Sequence, residues 1–123
     1  MAIKLDPSLG VALINMGLVY ANKIHDYKKA IDLYNQAIVI NPNSSDAYFN
    51  MGCAYASIKD FSEAIRCFEN TIKIDKYDFD AYRFMSRCYR DKGDEKTQIE
   101  CIKRAAELGD SNARSWLIEK GHI

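Results

Sequence analysis

Residues 47–72, AYFNMGCAYASIKDFSEAIRCFENTI, decide the fold, because they hold two helical periods separated by a short turn. In the first half, small and apolar residues recur three or four positions apart, at Tyr48, Met51, Gly52 and Tyr55. The second half repeats that spacing after the turn, at Ala64, Phe68, Thr71 and Ile72. Such spacing places side chains on one face of an α-helix. The stretch therefore predicts two helices, A and B, joined by a turn at residues 58–60.

The same two-helix pattern occurs three times along the chain. Shifting the sequence by 34 or 35 residues aligns five ladders: Ala12, Ala47, Ala81; Met16, Met51, Met85; Tyr20, Tyr55, Tyr89; Asp26, Asp60, Asp94; Ile31, Ile65, Ile99. Unit one aligns with unit two at a shift of 35 residues for positions before residue 26 and at a shift of 34 from residue 26 on. Unit one therefore carries one extra residue, which we place in the turn between its two helices, near Ile24 or His25. The aligned aspartates stand where each helix B needs an N-cap. The short turns leave no room for strands, so an all-α chain is predicted.

Each unit resembles the tetratricopeptide repeat, whose Leu-Gly, Tyr, Ala, Phe and Pro positions recur over about 34 residues. Unit two carries this pattern most fully, at Tyr48, Met51, Gly52, Tyr55, Ala64 and Phe68, and the resemblance covers residues 10–110. Unit three departs from it most, at Ser86, Glu95, Gln98 and Asp110, and Lys76 replaces the proline that closes unit two. The resemblance implies a right-handed α-solenoid of antiparallel helix pairs.

We expect one domain over residues 1–123, because the chain is too short for a second. Its expected parts are a remnant of a preceding helix at 2–7, repeats at 10–44, 45–78 and 79–110, and a capping helix at 111–121. Such a remnant indicates either that the chain is an excised piece of a longer repeat array or that the natural protein starts on a partial helix. In both cases the first helix A lacks its usual neighbour, so we expect self-association at the N-terminal end.

Composition argues against several classes of function. Apolar residues make up 48% of the chain, and 17 Lys and Arg balance 17 Asp and Glu, so nothing favours nucleic acid. The sequence has neither a signal peptide nor a membrane span, which makes a cytoplasmic location the expectation. Without a CxxC pair, the four cysteines are expected to be reduced, structural thiols.

Motifs for catalysis and metal binding are missing from the sequence. It contains no Gly-rich phosphate loop, HExxH or GxSxG, and His25 and His122 have no partner at catalytic or metal-ligand spacing. We therefore expect no enzyme activity, no cofactor and no metal.

A stripe on each helix A lies opposite its core face and is free to meet a partner. In the family this stripe lines a concave groove, which implies that the partner-binding residues are Ile14, Asn15, Leu18, Asn22, Phe49, Asn50, Cys53, Arg83, Phe84, Arg87 and Arg90. Exposed Ile14, Leu18 and Phe49 with arginines in unit three favour an apolar segment with an acidic end. Alternatively, missing repeats or a second copy cover the apolar residues, and the arginines pair with Asp80, Asp91 and Glu95.

The predicted function is a protein-interaction scaffold or adaptor that binds a partner segment in this groove. Relatives that clamp chaperone C-termini do so with five residues: Lys and Asn in the first unit, Asn in the second, and Lys and Arg in the third. In this chain those five positions hold, in the same order, Ile14, Leu18, Asn50, Asp80 and Phe84. One match in five argues against that clamp. Two alternatives stay open: a self-assembling structural repeat, end-to-end or swapped, and the targeting arm of a larger multidomain protein.

Overall fold

A computed structural model describes residues 6–123, which form helices and no strand. The helices are α1 (Pro7–Val19), α2 (Tyr27–Ile40), α3 (Ser45–Ser57), α4 (Phe61–Ile74), α5 (Phe79–Lys92), α6 (Glu95–Glu107) and α7 (Ser111–Glu119). Each helix packs chiefly on the next one along the chain. The pairs α1 and α2, α3 and α4, and α5 and α6 are the three A and B pairs, so the predicted all-α solenoid is confirmed. No helix in the described part of the chain is long and apolar enough to cross a membrane.

Aspartates begin the three B helices, as the sequence predicts. The Oδ1 atoms of Asp26, Asp60 and Asp94 accept hydrogen bonds from backbone N–H groups three residues ahead, at 3.1, 3.3 and 3.1 Å. Such a bond satisfies one of the donors that a helix start leaves without a partner. Asp6 caps α1 in a similar way, through the N–H of Ser8. The caps therefore fix where each helix starts.

The start of α1 differs from the expected remnant of a preceding helix. Asp6 and Pro7 begin α1 itself, and Pro7 takes the first helical position, where its lack of an N–H costs nothing. The rest of the expected remnant, residues 2–5, lies outside the described residues.

The extra residue of unit one lies in the helix and not in the turn. Residues Tyr20–Ile24 form a π-helical turn that continues α1, and His25 ends it with a left-handed backbone conformation, φ 61°. The N–H of Asp26 donates to Tyr20 O at 2.9 Å, and Asp60 and Asp94 donate to Tyr55 and Tyr89 at the same distance. A π-turn closes its hydrogen bond over one residue more than an α-turn, so it can hold a single inserted residue within the helix. The prediction thus placed the extra residue near the correct sequence position, but it was wrong to place it in the turn between the helices.

The core consists of the B-helix stripe packed against the A helices. Ala30 and Ala64 are fully buried, and Tyr34 and Phe68 lie against Gly17 and Gly52. A Cβ at Gly52 would lie 2.8 Å from Cε1 of Phe68, so this close approach excludes larger residues. Unit three solves the same packing problem differently, because Ser86 and Ile102 stand at the equivalent positions.

The position of Met16 in its ladder predicts a side chain buried between helices, but the side chain is not buried there. Its side chain is 49% exposed, whereas the equivalent Met51 and Met85 are buried against the preceding helix B. Ala12 and Val19 on the same face are exposed as well. The structure has no helix B before α1 in its described residues, so this face of α1 is uncovered.

Candidate functional site

Three cavities follow one another along the A helices and the capping helix α7. The first, about 170 Å³, lies between α1 and α3 and is lined in part by Leu18, Asn22, Asn50 and Cys53. The second, about 290 Å³, lies between α3 and α5 and shares Cys53 with the first. The third, about 200 Å³, lies between α5 and α7. We call the surface that carries them the A-helix face.

The structure brings most of the predicted site residues to these cavities. Arg87 and Arg90 line both the second and the third cavity, Phe84 lines the second and Arg83 the third. Ile14, Asn15 and Phe49 line none of the three. Eight of the eleven predicted residues therefore lie at a cavity. The sequence did not predict where space exists between the helices.

Phe49 is part of an aromatic cluster and is not an exposed anchor. Its ring lies 5.3 Å from Phe84 and 5.7 Å from Phe68, in both cases edge to face, the preferred arrangement for such pairs. Ile14 and Leu18 are half-buried too, so the expectation of three exposed apolar residues is wrong. Neighbouring A helices lie close enough for these side chains to cover one another.

The three arginines differ in how far they are already paired. Arg83 Nη2 lies 2.9 Å from Asp80, and its Nη1 lies 3.8 Å from the buried Asp110. Arg90 lies 3.3 Å from Asp91. Among residues 6–123 Arg87 forms no ion pair, and its guanidinium lies 4.9 Å from the centroid of Phe84. The pairing expected with Asp80 and Asp91 is therefore present, whereas among the described residues no arginine pairs with Glu95. Arg87 keeps its charge available.

The three asparagines of the predicted partner-binding set differ in their surroundings. Asn50 is half-buried, and its Nδ2 donates to the backbone oxygen of Asp46 at 2.9 Å, within its own helix. Asn15 is exposed on α1. Asn22 lies on the π-turn and lines the first cavity beside His25, whose Nδ1 is 3.2 Å from the hydroxyl of Tyr27. The π-turn thus brings polar groups to that cavity.

The four cysteines are free thiols, three of them buried. Burial raises the pKa of Cys53 and Cys67 from the usual 9.0 to about 12, and that of Cys88 and Cys101 to about 11. A thiol with so high a pKa stays protonated near neutral pH and is a poor nucleophile. Cys53 therefore offers the first two cavities a small, weakly polar wall. In the described part of the chain no three His, Cys, Asp or Glu side chains group as metal ligands would.

Sequence reasoning missed seven of the ten residues that line the third cavity, among them Gln98, Asn112 and Trp116. Trp116 lies on α7, for which the sequence predicted a capping helix. A shift of 32 residues, not 34, aligns α7 with α5 and places Trp116 at the position of Phe84. Buried Ala113 and Leu117 then align with buried Ala81 and Met85. Treating α7 as a fourth helix A would have identified Trp116.

Two family models and one known protein match part of this chain in sequence. Residues 25–59 match a family model described as TPR repeat, and residues 45–78 match one described as tetratricopeptide repeat. Photosystem I assembly protein Ycf3 of Acaryochloris marina (strain MBIC 11017) is 42% identical over 53 residues, which is 42% of this chain and 31% of that protein.

Solved structures match over more of the chain. MamA superposes with a TM-score of 0.80 at 29% identity, over 89% of this chain and 64% of MamA. The first TPR of Spaghetti (RPAP3), bound to the HSP90 peptide SRMEEVD, superposes with a TM-score of 0.84 at 20% identity, over 98% and 97% of the two chains. The chain thus spans less than two thirds of Ycf3 and of MamA.

Proposed function

Because the chain belongs to the tetratricopeptide repeat family, we propose that it is a protein-interaction module that holds an extended segment of a partner along its A-helix face. The tetratricopeptide repeat is generally a non-catalytic fold for binding other proteins. A scaffold or adaptor role follows from that proposal. The cytoplasmic location stays a prediction from the sequence.

The observation that carries the proposal is the continuity of the three cavities. Cys53 lines the first and second, and Arg87 and Arg90 line the second and third. A segment lying along the A-helix face could therefore place successive side chains in successive cavities. The lining changes from neutral polar at Asn22 and Asn50 to cationic at the arginines, which gives the bound segment a direction.

The partner we propose differs from the peptide bound by the first TPR of Spaghetti. That protein holds SRMEEVD, an acidic chaperone peptide. This chain has one of five residues expected for such a clamp, Asn50, and the amide of Asn50 already donates to Asp46. We therefore propose recognition by the cavities between helices.

Arg87→Glu should weaken capture of a partner peptide about 10- to 100-fold. Arg87 faces two cavities and has no ion-pair partner among the described residues, and a charge-assisted hydrogen bond is worth about 1.5–3 kcal/mol. The measurement is calorimetric titration with a peptide selected against the intact chain from a random display library. Phe49 is left unchanged, because its replacement would disturb the aromatic cluster.

Arg66→Glu is the matched control, since the Arg66 side chain is 73% exposed on α4, away from the cavities. It should leave the affinity within about twofold. Equal affinity of the Arg87 and Arg66 variants would contradict binding on the A-helix face. Failure to select any peptide would contradict the proposed function.

A second candidate function is self-assembly through α1. Leu9, Met16 and Val19 are between 44% and 49% exposed, whereas the equivalents of Met16 and Val19 in the next unit, Met51 and Ala54, are buried against a helix B. A second copy could cover this surface. The third possibility, a targeting arm of a larger protein, is compatible with the greater length of Ycf3 and MamA.

If α1 mediates self-assembly, the mass in solution should rise above 14.0 kDa at concentrations on the order of 100 µM. Met16→Glu should then keep the chain monomeric, because it places a charge in the middle of the contact. Val39→Glu is the control, since Val39 is 74% exposed on α2 and lies outside the contact. Light scattering across a concentration series that stays at the monomer mass would exclude this candidate.

A further inference from the structure

Unit three breaks the repeat pattern at positions that come together around one cavity. Ser86 stands where units one and two have glycine, Gln98 where they have alanine, and Ile102 where they have Tyr34 and Phe68. All three line the cavity between α5 and α7. A branched aliphatic side chain occupies less space than the aromatic ring it replaces, so Ile102 opens this volume. Ser86 and Gln98 line the same volume with polar atoms.

We propose that this cavity is a pocket for a single carboxylate group carried by the bound segment. We call it the carboxylate pocket. The identity of its natural ligand as a protein segment rests on the proposed function, whereas the recognition of a carboxylate rests on the pocket alone.

The charged residues that line the carboxylate pocket are all basic. Arg83, Arg87 and Arg90 contribute guanidinium groups, and Gln98 and Asn112 contribute amides. No acidic side chain of the described residues lines it. Guanidinium groups bind carboxylates through paired hydrogen bonds, and amides can donate to the same oxygens.

Arg83 is held in place by two carboxylates outside the pocket. Asp80 accepts from its Nη2 at 2.9 Å, and Asp110, only 3% exposed, lies 3.8 Å from its Nη1. The Nε–H of Arg83 is buried without an acceptor among the described residues. Asp110 is itself fixed, because it accepts hydrogen bonds from the N–H groups of Asn112 and Ala113 at the start of α7. The guanidinium is therefore positioned before any ligand arrives.

The charges nearby favour a singly charged ligand over a doubly charged phosphate. Asp80 and Asp110 pair with Arg83, and Asp91 pairs with Arg90, so among the described residues Arg87 is the pocket guanidinium without a carboxylate partner. One ligand carboxylate can take that place. A dianion would leave excess negative charge beside the buried Asp110, which is costly at low dielectric. Trp116, Ile102 and Ala105 add an apolar wall, suited to the methylene groups of an acidic side chain. At about 200 Å³ the pocket can hold about seven waters or one side chain.

The carboxylate pocket is separate from the chaperone-tail clamp. The five places of that clamp hold Ile14, Leu18, Asn50, Asp80 and Phe84 in this chain, and none of them lines the pocket. Recognition here would combine helix α5 with α6 and the capping helix α7.

Trp116 allows a direct test, because it is the only tryptophan of the chain and lies in the pocket wall. Its indole N–H signal is followed by NMR while the full chain is titrated with small probes at constant ionic strength. N-acetyl-glutamate amide carries only a side-chain carboxylate, and N-acetyl-alanine only a C-terminal one. N-acetyl-glutamine amide is the neutral isostere, and inorganic phosphate is the competing anion.

At least one of the two carboxylates should shift the Trp116 signal saturably, with a Kd on the order of 1–10 mM. The tighter of the two identifies the source, side chain or C-terminus. The double variant R87Q/R90Q should raise that Kd at least about tenfold, whereas R66Q should leave it within about twofold. Arg83 is retained, because its removal would leave Asp110 buried and unpaired.

Three results would overturn the carboxylate pocket: no saturable shift with either carboxylate, an equal shift with the glutamine isostere, or phosphate binding at least as tightly. The proposed function fails in a different way. Peptides that bind the A-helix face without moving Trp116 would keep the function and exclude the pocket. A carboxylate response with no peptide binding would keep the pocket and exclude the function.

Discussion

Replacing Phe68 by Ala should lower the free energy of unfolding by about 3–5 kcal/mol. Phe68 is fully buried, and its ring lies 5.7 Å from Phe49 and 6.1 Å from Phe84. Removing it takes away buried apolar surface and leaves a void between α3, α4 and α5. Because the Phe49 and Phe84 rings pack on each other as well as on Phe68, they can refill the void only by separating. Urea denaturation followed by circular dichroism measures the change.

Two controls accompany this prediction. Phe68→Leu keeps most of the apolar volume and should cost less than Phe68→Ala. Ile74→Ala removes a side chain that is 38% exposed on the same helix, and it should cost about 1 kcal/mol or less. A loss below about 1 kcal/mol for Phe68→Ala would show that the ring does not support the packing between repeats.

Gly52→Ser should lower the free energy of unfolding by about 1–3 kcal/mol, although serine is the better helix former of the two. A Cβ at this position would lie 2.8 Å from the Phe68 ring, and Phe68 is fully buried between the rings of Phe49 and Phe84. In the double variant Gly52→Ser, Phe68→Ile the smaller side chain makes room. We expect it to be at least about 1 kcal/mol more stable than the sum of the single changes indicates.

Unit three supplies the rationale for this double-mutant cycle, because it naturally has Ser86 and Ile102 at the two positions. Ser86→Gly, which relieves no close contact, should leave stability within about 1 kcal/mol. Additive effects in the cycle, measured by urea denaturation of all four proteins, would contradict steric coupling between the two positions.

Much of the fold could be predicted from the sequence because it depends on local periodicity. The ladder through Ala47 and Ala81, the aspartate caps and the short turns each specify helices independently of distant contacts. The π-turn could not be placed in this way, since an insertion has the same sequence signature in a turn and in a helix. Only the hydrogen bond from Asp26 to Tyr20 distinguishes the two.

Predicting the site depended on contacts between repeats, which periodicity does not report. The stripe on the A helices predicted that Phe49 faces outward, but Phe84 from the next repeat covers it. Met16 shows the reverse case, a ladder position whose side chain is 49% exposed because no helix among residues 6–123 covers it. Trp116 was missed because α7 follows a shift of 32 and not 34 residues. The binding residues themselves stay a prediction.

The π-turn has a consequence for how repeats of this kind can change length during evolution. In all three units the same backbone bond, from the aspartate N–H to the tyrosine oxygen, closes the end of helix A at 2.9 Å. One residue more between Tyr20 and Asp26 is wound into the helix, so the start of α2 and every later position keep their register. An insertion between this tyrosine and this aspartate therefore leaves the packing of the neighbouring repeats unchanged. It changes only the direction of the few side chains beside the first cavity. Natural variation in the length of this segment can therefore alter one end of a binding surface without changing how the repeats of the solenoid stack.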